Sequence, residues 1–344
     1  MMQALVNYSG TPGSVELRDV PKPQIRPGEV LLRSRGIGIC GSDLHQWHGT
    51  QAWAVNWPVT LGHEFCGEVV EVGSDVTGWH VGDRVACETA ARVCGHCPMC
   101  RTGHYNLCPE RLGFGYGVDG AAAEFVKAEP RLLHRIPDNV TWEQAALTEP
   151  CAVAFNAVVE KSHPRPGDLA VVLGPGPIGL LVTQMLRNTG PARLVLVGLR
   201  RDAQRLELAQ RFGADEVIVS DETDAVARVL ELGNGFGADL VIDAVGVSAT
   251  LQQALQMVRP EGQITKIGWG PGPVGFSLDP LIAKAATLQG SFSHNWGTWE
   301  RVLKLMGAGR LDLEPFLNVY PLANWRAAFE RMDRLEVPKV VLQP

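Results

Sequence analysis

The chain has 344 residues, 45% of them hydrophobic and 20% charged, with a formal net charge of −6 at pH 7. That length exceeds the roughly 250–300 residues at which single cores stop growing, so two domains are expected, and the composition argues against disorder. A negative chain with no long basic run excludes a partner held by phosphate charge, so no nucleic acid is expected. No apolar window nears the roughly 18 residues of a membrane span, and the start MMQALVNYSGTPGS lacks the basic-then-apolar pattern of a leader. The expectation is a soluble, cytoplasmic protein with no membrane partner.

In chain order, short runs of alternating apolar residues broken by Gly and Pro come first. EVLLRSRGIGI (29–39), CGEVVEVG (66–73) and DRVACE (83–88) read as strands of a barrel-like β domain. Near Pro150 the texture changes. LAVVLG (169–174) is a continuous apolar strand, followed by a helical pattern to about Asn188 and by the strand RLVLVG (193–198). A helix from Asp202 to Phe212, the strand EVIVS, a helix over about 223–232, the strand DLVIDAVG, a helix over 249–258 and the strand GQITKIG complete the alternation. Buried strands separated by amphipathic helices predict a doubly wound parallel sheet, so the fold class is α/β. The dinucleotide-type domain is placed at 153–292. The last fifty residues show one helix, TWERVLKLMGAG, and are expected to return to the first domain, which would comprise 1–152 and 293–344.

GPGPIG follows the strand LAVVL and opens a helix. Gly174 suits the tight turn, Gly176 lets a pyrophosphate approach the backbone, and Gly179 allows close helix–strand packing, with Pro177 and Ile178 between them. The helix N-terminus then faces the phosphates. At the end of the second strand, where a carboxylate usually binds the ribose of NAD, the chain has Gly198, followed by Leu199, Arg200 and Arg201. With no carboxylate to repel a 2′-phosphate and two guanidiniums to pair with it, NADP is expected ahead of NAD. Asp202 either caps the following helix or serves the ribose.

Two stretches of the first domain carry reactive side chains, CGSDLH (40–45) and GHEF (62–65). Cys40, His63 and Glu64 form a donor set suited to a catalytic zinc with an open position. Cys94, Cys97, Cys100 and Cys108 form another kind of set, four thiolates with no open position, which suits a structural zinc. Two readings of another class compete for that lobe. An iron–sulfur centre shares the C-x2-C-x2-C spacing, but the last interval is wrong and no second quartet exists. A nucleic-acid-binding zinc module would need a basic recognition helix, and the flanks are nearly neutral.

GHEFCGEVVEVG, CGSDLH, the four-cysteine lobe, LTEP and GPGPIG, in this order and across essentially the whole chain, resemble the zinc-dependent medium-chain dehydrogenase/reductase family. The pattern is nearest to its sorbitol (polyol) and L-threonine 3-dehydrogenase branches. The resemblance implies a GroES-like β-barrel catalytic domain beside a Rossmann domain, and reversible oxidation of a secondary alcohol to a ketone by hydride transfer. The alcohol could be polyol-like, an amino alcohol or cyclic, and an NAD-using L-threonine 3-dehydrogenase type is the alternative. It also implies two zinc ions per chain and assembly as a homodimer or homotetramer. Carried over by position, Cys40, His63 and Glu64 are the catalytic zinc ligands, and Glu149 in LTEP contacts the zinc or holds its water. Ser42 and His45 relay the alcohol proton to solvent. Phe292, Ser293 and His294 line the nicotinamide and substrate cleft, and Arg205 and Gly246 join the cofactor contacts. Trp47, His48 and Phe114 are candidates for the cleft wall, together with His294. The chain departs from sorbitol-type enzymes in having Ser293 and His294 where these carry an arginine, and from threonine dehydrogenases at Gly198.

Overall fold

The computed structural model describes residues 1–270 and 272–344. The chain divides into two compact units, Met1–Glu149 with His294–Pro344, and Pro150–Ser293. The expected division at 152/153 and 292/293 therefore lies three residues late at the first crossing and one early at the second.

The first unit is built on antiparallel β structure. Val30–Gly38 lies at the centre of its seven-stranded sheet, paired with Glu64–Val72, with Phe125–Ala128 and with the chain's last strand, Val341–Gln343. Alternation, shifted by an irregularity between Ser34 and Gly36, sends Leu32, Ile37, Phe65 and Val69 into one core. The register pairs Gly38 with Glu64. A Cβ on Gly38 would collide with the Glu64 carboxylate, so glycine there makes room for a buried acid. The last fifty residues hold more structure than their one expected helix. A second helix, Trp325–Asp333, buries Trp325, Ala328, Phe329 and Met332 on one face, and strand Val319–Pro321 runs parallel to Val341–Gln343. The spacing of those four residues is a helical stripe that a reading focused on strand–helix units passes over.

The second unit is a six-stranded parallel sheet. Its spatial order is Glu216–Val219, Arg193–Gly198, Leu169–Leu173, Ala238–Asp243, Val258–Lys266 and Thr287–Gly290, which in chain order is 3-2-1-4-5-6. This is the doubly wound order whose ligand crevice opens where the winding reverses, outside the carboxyl end of the first strand. Leu169–Leu173 is buried at every position, as a central strand covered on both faces must be. It ends at Gly174, which has φ 96°. The helix Pro177–Arg187 starts with Gly176 as its cap and proline as its first residue, where a missing N–H costs nothing. A Cβ on Gly179 would strike the carbonyl oxygen of Gly174. Gly179→Ala is therefore expected to destabilise the chain by about 2 kcal/mol, the usual scale of a backbone collision. Urea denaturation checks this, and an unchanged midpoint would show that the turn has slack.

Candidate functional site

In the first unit the helix Gly41–His48 begins at Cys40, whose backbone N–H donates to Asp43 Oδ2 at 2.8 Å. Asp43 is fully buried, and its Oδ1 lies 3.8 Å from His63 Nδ1. One carboxylate thus fixes the start of the helix and faces the histidine. His63 precedes the strand that begins at Glu64, and a positive φ at Gly62 turns the chain into it. The Cys40, His63 and Glu64 donor atoms lie within 4.8 Å of one another.

Burial pulls the His63 pKa down, but Asp43 and the Cys40 thiol outweigh it, and the net shift is well upward. Glu64 is 1% exposed and meets Lys339, 3% exposed, whose Nζ is 2.6 Å from each carboxylate oxygen. Burial lowers the Lys339 pKa, yet Glu64 and Cys40 raise it overall, so the ammonium stays charged. Glu149, 8% exposed, accepts from His294 Nε2 at 2.9 Å and from Thr89 Oγ1 at 3.4 Å. Its pKa falls to about 2, because the His294 hydrogen bond and nearby positive charge outweigh burial, which alone would raise it. Asp43, Lys339, Thr89 and Trp299 were not singled out in the sequence. C-x-x-D matches the spacing of a capping box, and Lys339 interrupts an apolar run, VPKVVL.

The second cysteine group is a lobe in which Cys94, Cys97, Cys100 and Cys108 bring their sulfurs within 4.8 Å of one another as free thiols. Backbone N–H groups point at the sulfurs: Cys94 to Cys108 at 3.3 Å, Cys97 to Cys94 at 3.3 Å, and Cys100 to Cys97 at 3.4 Å. Amides from His96 and Cys97 lower the Cys94 pKa to about 6, while desolvation and its sulfur neighbours push Cys100 up to about 12. A cluster of four sulfurs in which Cys94 ionises readily suits a cation at its centre.

The remaining predicted residues are distributed as follows. Ser42 is half-buried, and His45 is exposed with Nδ1 2.9 Å from Thr50 Oγ1. Three cleft candidates need correction. Trp47 packs edge-on against Trp325 and Phe329, Phe114 packs on Phe65 at 3% exposure, and His48 pairs with Asp333 at the surface. Phe65 and Glu64 are neighbours on one strand and face opposite sides, so Phe114 lies on the core side. His294 is 2% exposed, with Nδ1 accepting from Trp299 Nε1 at 2.6 Å.

In the second unit Phe292 is 38% exposed and lies near Trp269, and Ser293 has φ 55°. A Cβ on Gly176 would meet nothing within 4 Å, which leaves space above the turn, while one on Gly246 would collide with Gly268. A Cβ on Gly198 would come 2.9 Å from Leu206 Cδ2 and 3.0 Å from Pro175 Cγ. Asp202 Oδ2 accepts from the Leu199 N–H at 3.1 Å, and Arg200 pairs with Glu222 at 2.7 Å. Arg201 is exposed and Arg205 buried.

Residues 26–138 match the alcohol dehydrogenase GroES-like domain family, and residues 177–308 match the zinc-binding dehydrogenase family. The sorbitol dehydrogenase of Halalkalibacterium halodurans is 37% identical, with 100% of this chain and 99% of that relative covered. The L-threonine 3-dehydrogenase of Pyrococcus horikoshii is also 37% identical, with 94% and 92% covered. A crystal structure from Sinorhizobium meliloti 1021, described as a zinc-binding dehydrogenase bound to NADP, has a TM-score of 0.92 at 29% identity and covers 100% and 99% of the two chains. The chain belongs to the zinc-dependent medium-chain alcohol dehydrogenase family. It is an oxidoreductase that acts on alcohols with a nicotinamide cofactor. Its GroES-like and Rossmann-type units are the two described above. Among the described residues, no helix is long and apolar enough to cross a membrane.

The residues present fit a zinc ion. The buried first-unit group combines a soft sulfur, an imidazole and carboxylates, and its negative charges outnumber the one ammonium beside them. Removing that ammonium would leave a buried carboxylate uncompensated, a change that costs roughly 3–5 kcal/mol. Lys339→Met is expected to lower the stability of the metal-free protein by about that amount. Adding Glu64→Gln should restore most of the loss, and equal urea midpoints for wild type and Lys339→Met would contradict the pairing.

Proposed function

We propose that this chain reversibly oxidises a secondary alcohol of a polyol-like substrate to a ketone, with NADP preferred over NAD and two zinc ions per chain. The observation that carries this reading is the convergence of Cys40, His63 and Glu64 donor atoms within 4.8 Å, with His63 and Glu64 buried and Cys40 half-buried. These three residues would hold the catalytic zinc, with Glu149 as a further carboxylate for it, and the four-cysteine lobe would hold a structural one. When bound, the metal acidifies the alcohol hydroxyl and the nicotinamide accepts the hydride. Ser42 takes the hydroxyl proton, and His45, exposed beside Thr50, delivers it to solvent. Asp43 faces His63 at 3.8 Å, and Lys339 offsets part of the upward push that burial gives the Glu64 carboxyl.

Polyol-like substrates gain support from the relatives, which include the sorbitol dehydrogenase above and a D-arabitol-phosphate dehydrogenase of Enterococcus avium at 36% identity. The case for a cyclic alcohol weakens because Phe114 is a core residue and the half-buried Trp47 packs on Trp325 and Phe329. NADP gains support from Gly198, where a side chain would crowd Leu206 and Pro175, and from Asp202, whose carboxylate is engaged by a backbone N–H. Arg201 is the guanidinium left to meet a 2′-phosphate, since Arg200 is paired with Glu222. We also infer a cytoplasmic homodimer or homotetramer. The free thiols and the edge strand Thr287–Gly290, which presents one unpaired side, support this reading.

Cys40→Ser should abolish turnover, reduce the zinc content from two to one per chain and leave the circular dichroism spectrum unchanged. Retained activity would sink the catalytic-zinc assignment. Separate titrations of NADPH and NADH should show tighter NADPH, with Arg201→Ala removing about tenfold of that preference, the loss of one charge-assisted contact. Tighter NADH would reverse the cofactor reading. A panel of polyols, vicinal diols and L-threonine with both cofactors then identifies the substrate class.

A further inference from the structure

Trp299 is fully buried, and its indole N–H is a donor only. That N–H lies 2.6 Å from His294 Nδ1, so Nδ1 must be the unprotonated acceptor. In the neutral imidazole the remaining proton then sits on Nε2, which faces Glu149 Oε1 at 2.9 Å. The indole therefore selects the tautomer in which His294 donates to Glu149. The support extends one layer further. Trp299 stacks on His134 with ring centroids 5.4 Å apart and planes 14° off parallel. His134 in turn is held between Glu88 at 3.1 Å and Glu300 at 2.7 Å. Thr89 Oγ1 approaches the same oxygen at 3.4 Å and lies 3.4 Å from His294 Nε2. Among the described residues, Glu149 Oε2 takes no hydrogen bond, so one oxygen is committed and the other is available.

We propose that His294 is a positioning residue for Glu149, held by Trp299 in the tautomer that fixes Oε1 and presents Oε2 alone to the catalytic metal. This rests on the zinc-site reading given above. It assigns His294 to the support of the metal site and removes it from the substrate wall. The imidazole does not touch the alcohol. It acts through the carboxylate, in the way that partners behind a metal-binding group orient that group and tune its affinity.

Zinc binding provides the test, independently of turnover. Metal-free wild-type protein and variants are titrated with zinc against a chelator. The wild type is expected to take up two ions per chain. His294→Phe keeps the ring volume but loses the donor, and should weaken one of the two sites by about 10–100-fold, the usual effect of losing such a partner. The four-cysteine site, unchanged, serves as the internal reference. His294→Gln can place an amide N–H near the Nε2 position and should recover most of the affinity, which a purely structural role would not predict. In a Glu149→Ala background, His294→Phe should add little further loss, because the two changes remove one interaction. Should His294→Phe fail to fold, Trp299→Phe, which removes only the selecting N–H, should weaken the same site by a smaller factor. Wild-type zinc affinity in the folded variant, or additive losses in the double variant, overturns the inference while leaving the zinc site intact. A wild-type chain that binds only one zinc overturns the site reading itself.

Discussion

A carboxylate taken out of water costs several kcal/mol unless a cation meets it, and this chain buries Asp43, Glu64 and Glu149 together with two histidines, His63 and His294. Lys339 is the side chain that answers part of that charge, and it arrives on the approach to the last strand. This explains why the first unit is discontinuous. Its barrel sheet needs Val341–Gln343 alongside Val30–Gly38, and its buried acid needs the ammonium that this strand delivers. The negative charge that Lys339 does not neutralise, together with the Cys40 thiol, gives the group its demand for a metal. Asp43 serves both ends of that group, as the acceptor at the start of the Cys40 helix and as the neighbour of His63.

The second unit meets its ligand by the opposite device. Where the metal group concentrates charge, the turn after Leu169–Leu173 withholds side chains, so that backbone and helix N-terminus can approach an anion. The three glycines do different work. At Gly174 the backbone is left-handed, at Gly179 a side chain would strike the preceding carbonyl, and at Gly176 the space beyond the Cα is open. The cysteine lobe combines both devices, with thiols gathered at one point and amide N–H groups aimed at their sulfurs. The lobe is also tied to the rest of its unit, since the Tyr105 hydroxyl donates to Glu88 and accepts from the Trp296 N–H.

Local spacing was enough to identify the parallel sheet, the glycine turn and the four-cysteine lobe, each recorded in residues close together in the chain or in a period of apolar positions. Cys40 and the His63–Glu64 pair stand apart in the chain, and only folding brings their donor atoms within 4.8 Å of one another. Other features were not accessible in that way. Trp47 and Phe114 looked like pocket walls because aromatic residues near reactive ones suggest a cleft, yet which side of a strand or helix they face is settled by what packs there, here Trp325, Phe329 and Phe65. The pairs Lys339–Glu64 and His294–Glu149 join residues 275 and 145 positions apart, and no local pattern records either. The kinds of atoms available for chemistry were thus legible in the linear chain, because they depend on residue type and short-range order. Which of those atoms are charged, which are committed to a neighbour and which remain open to a ligand was decided only by folding, because burial and long-range pairing set the energy of every buried charge.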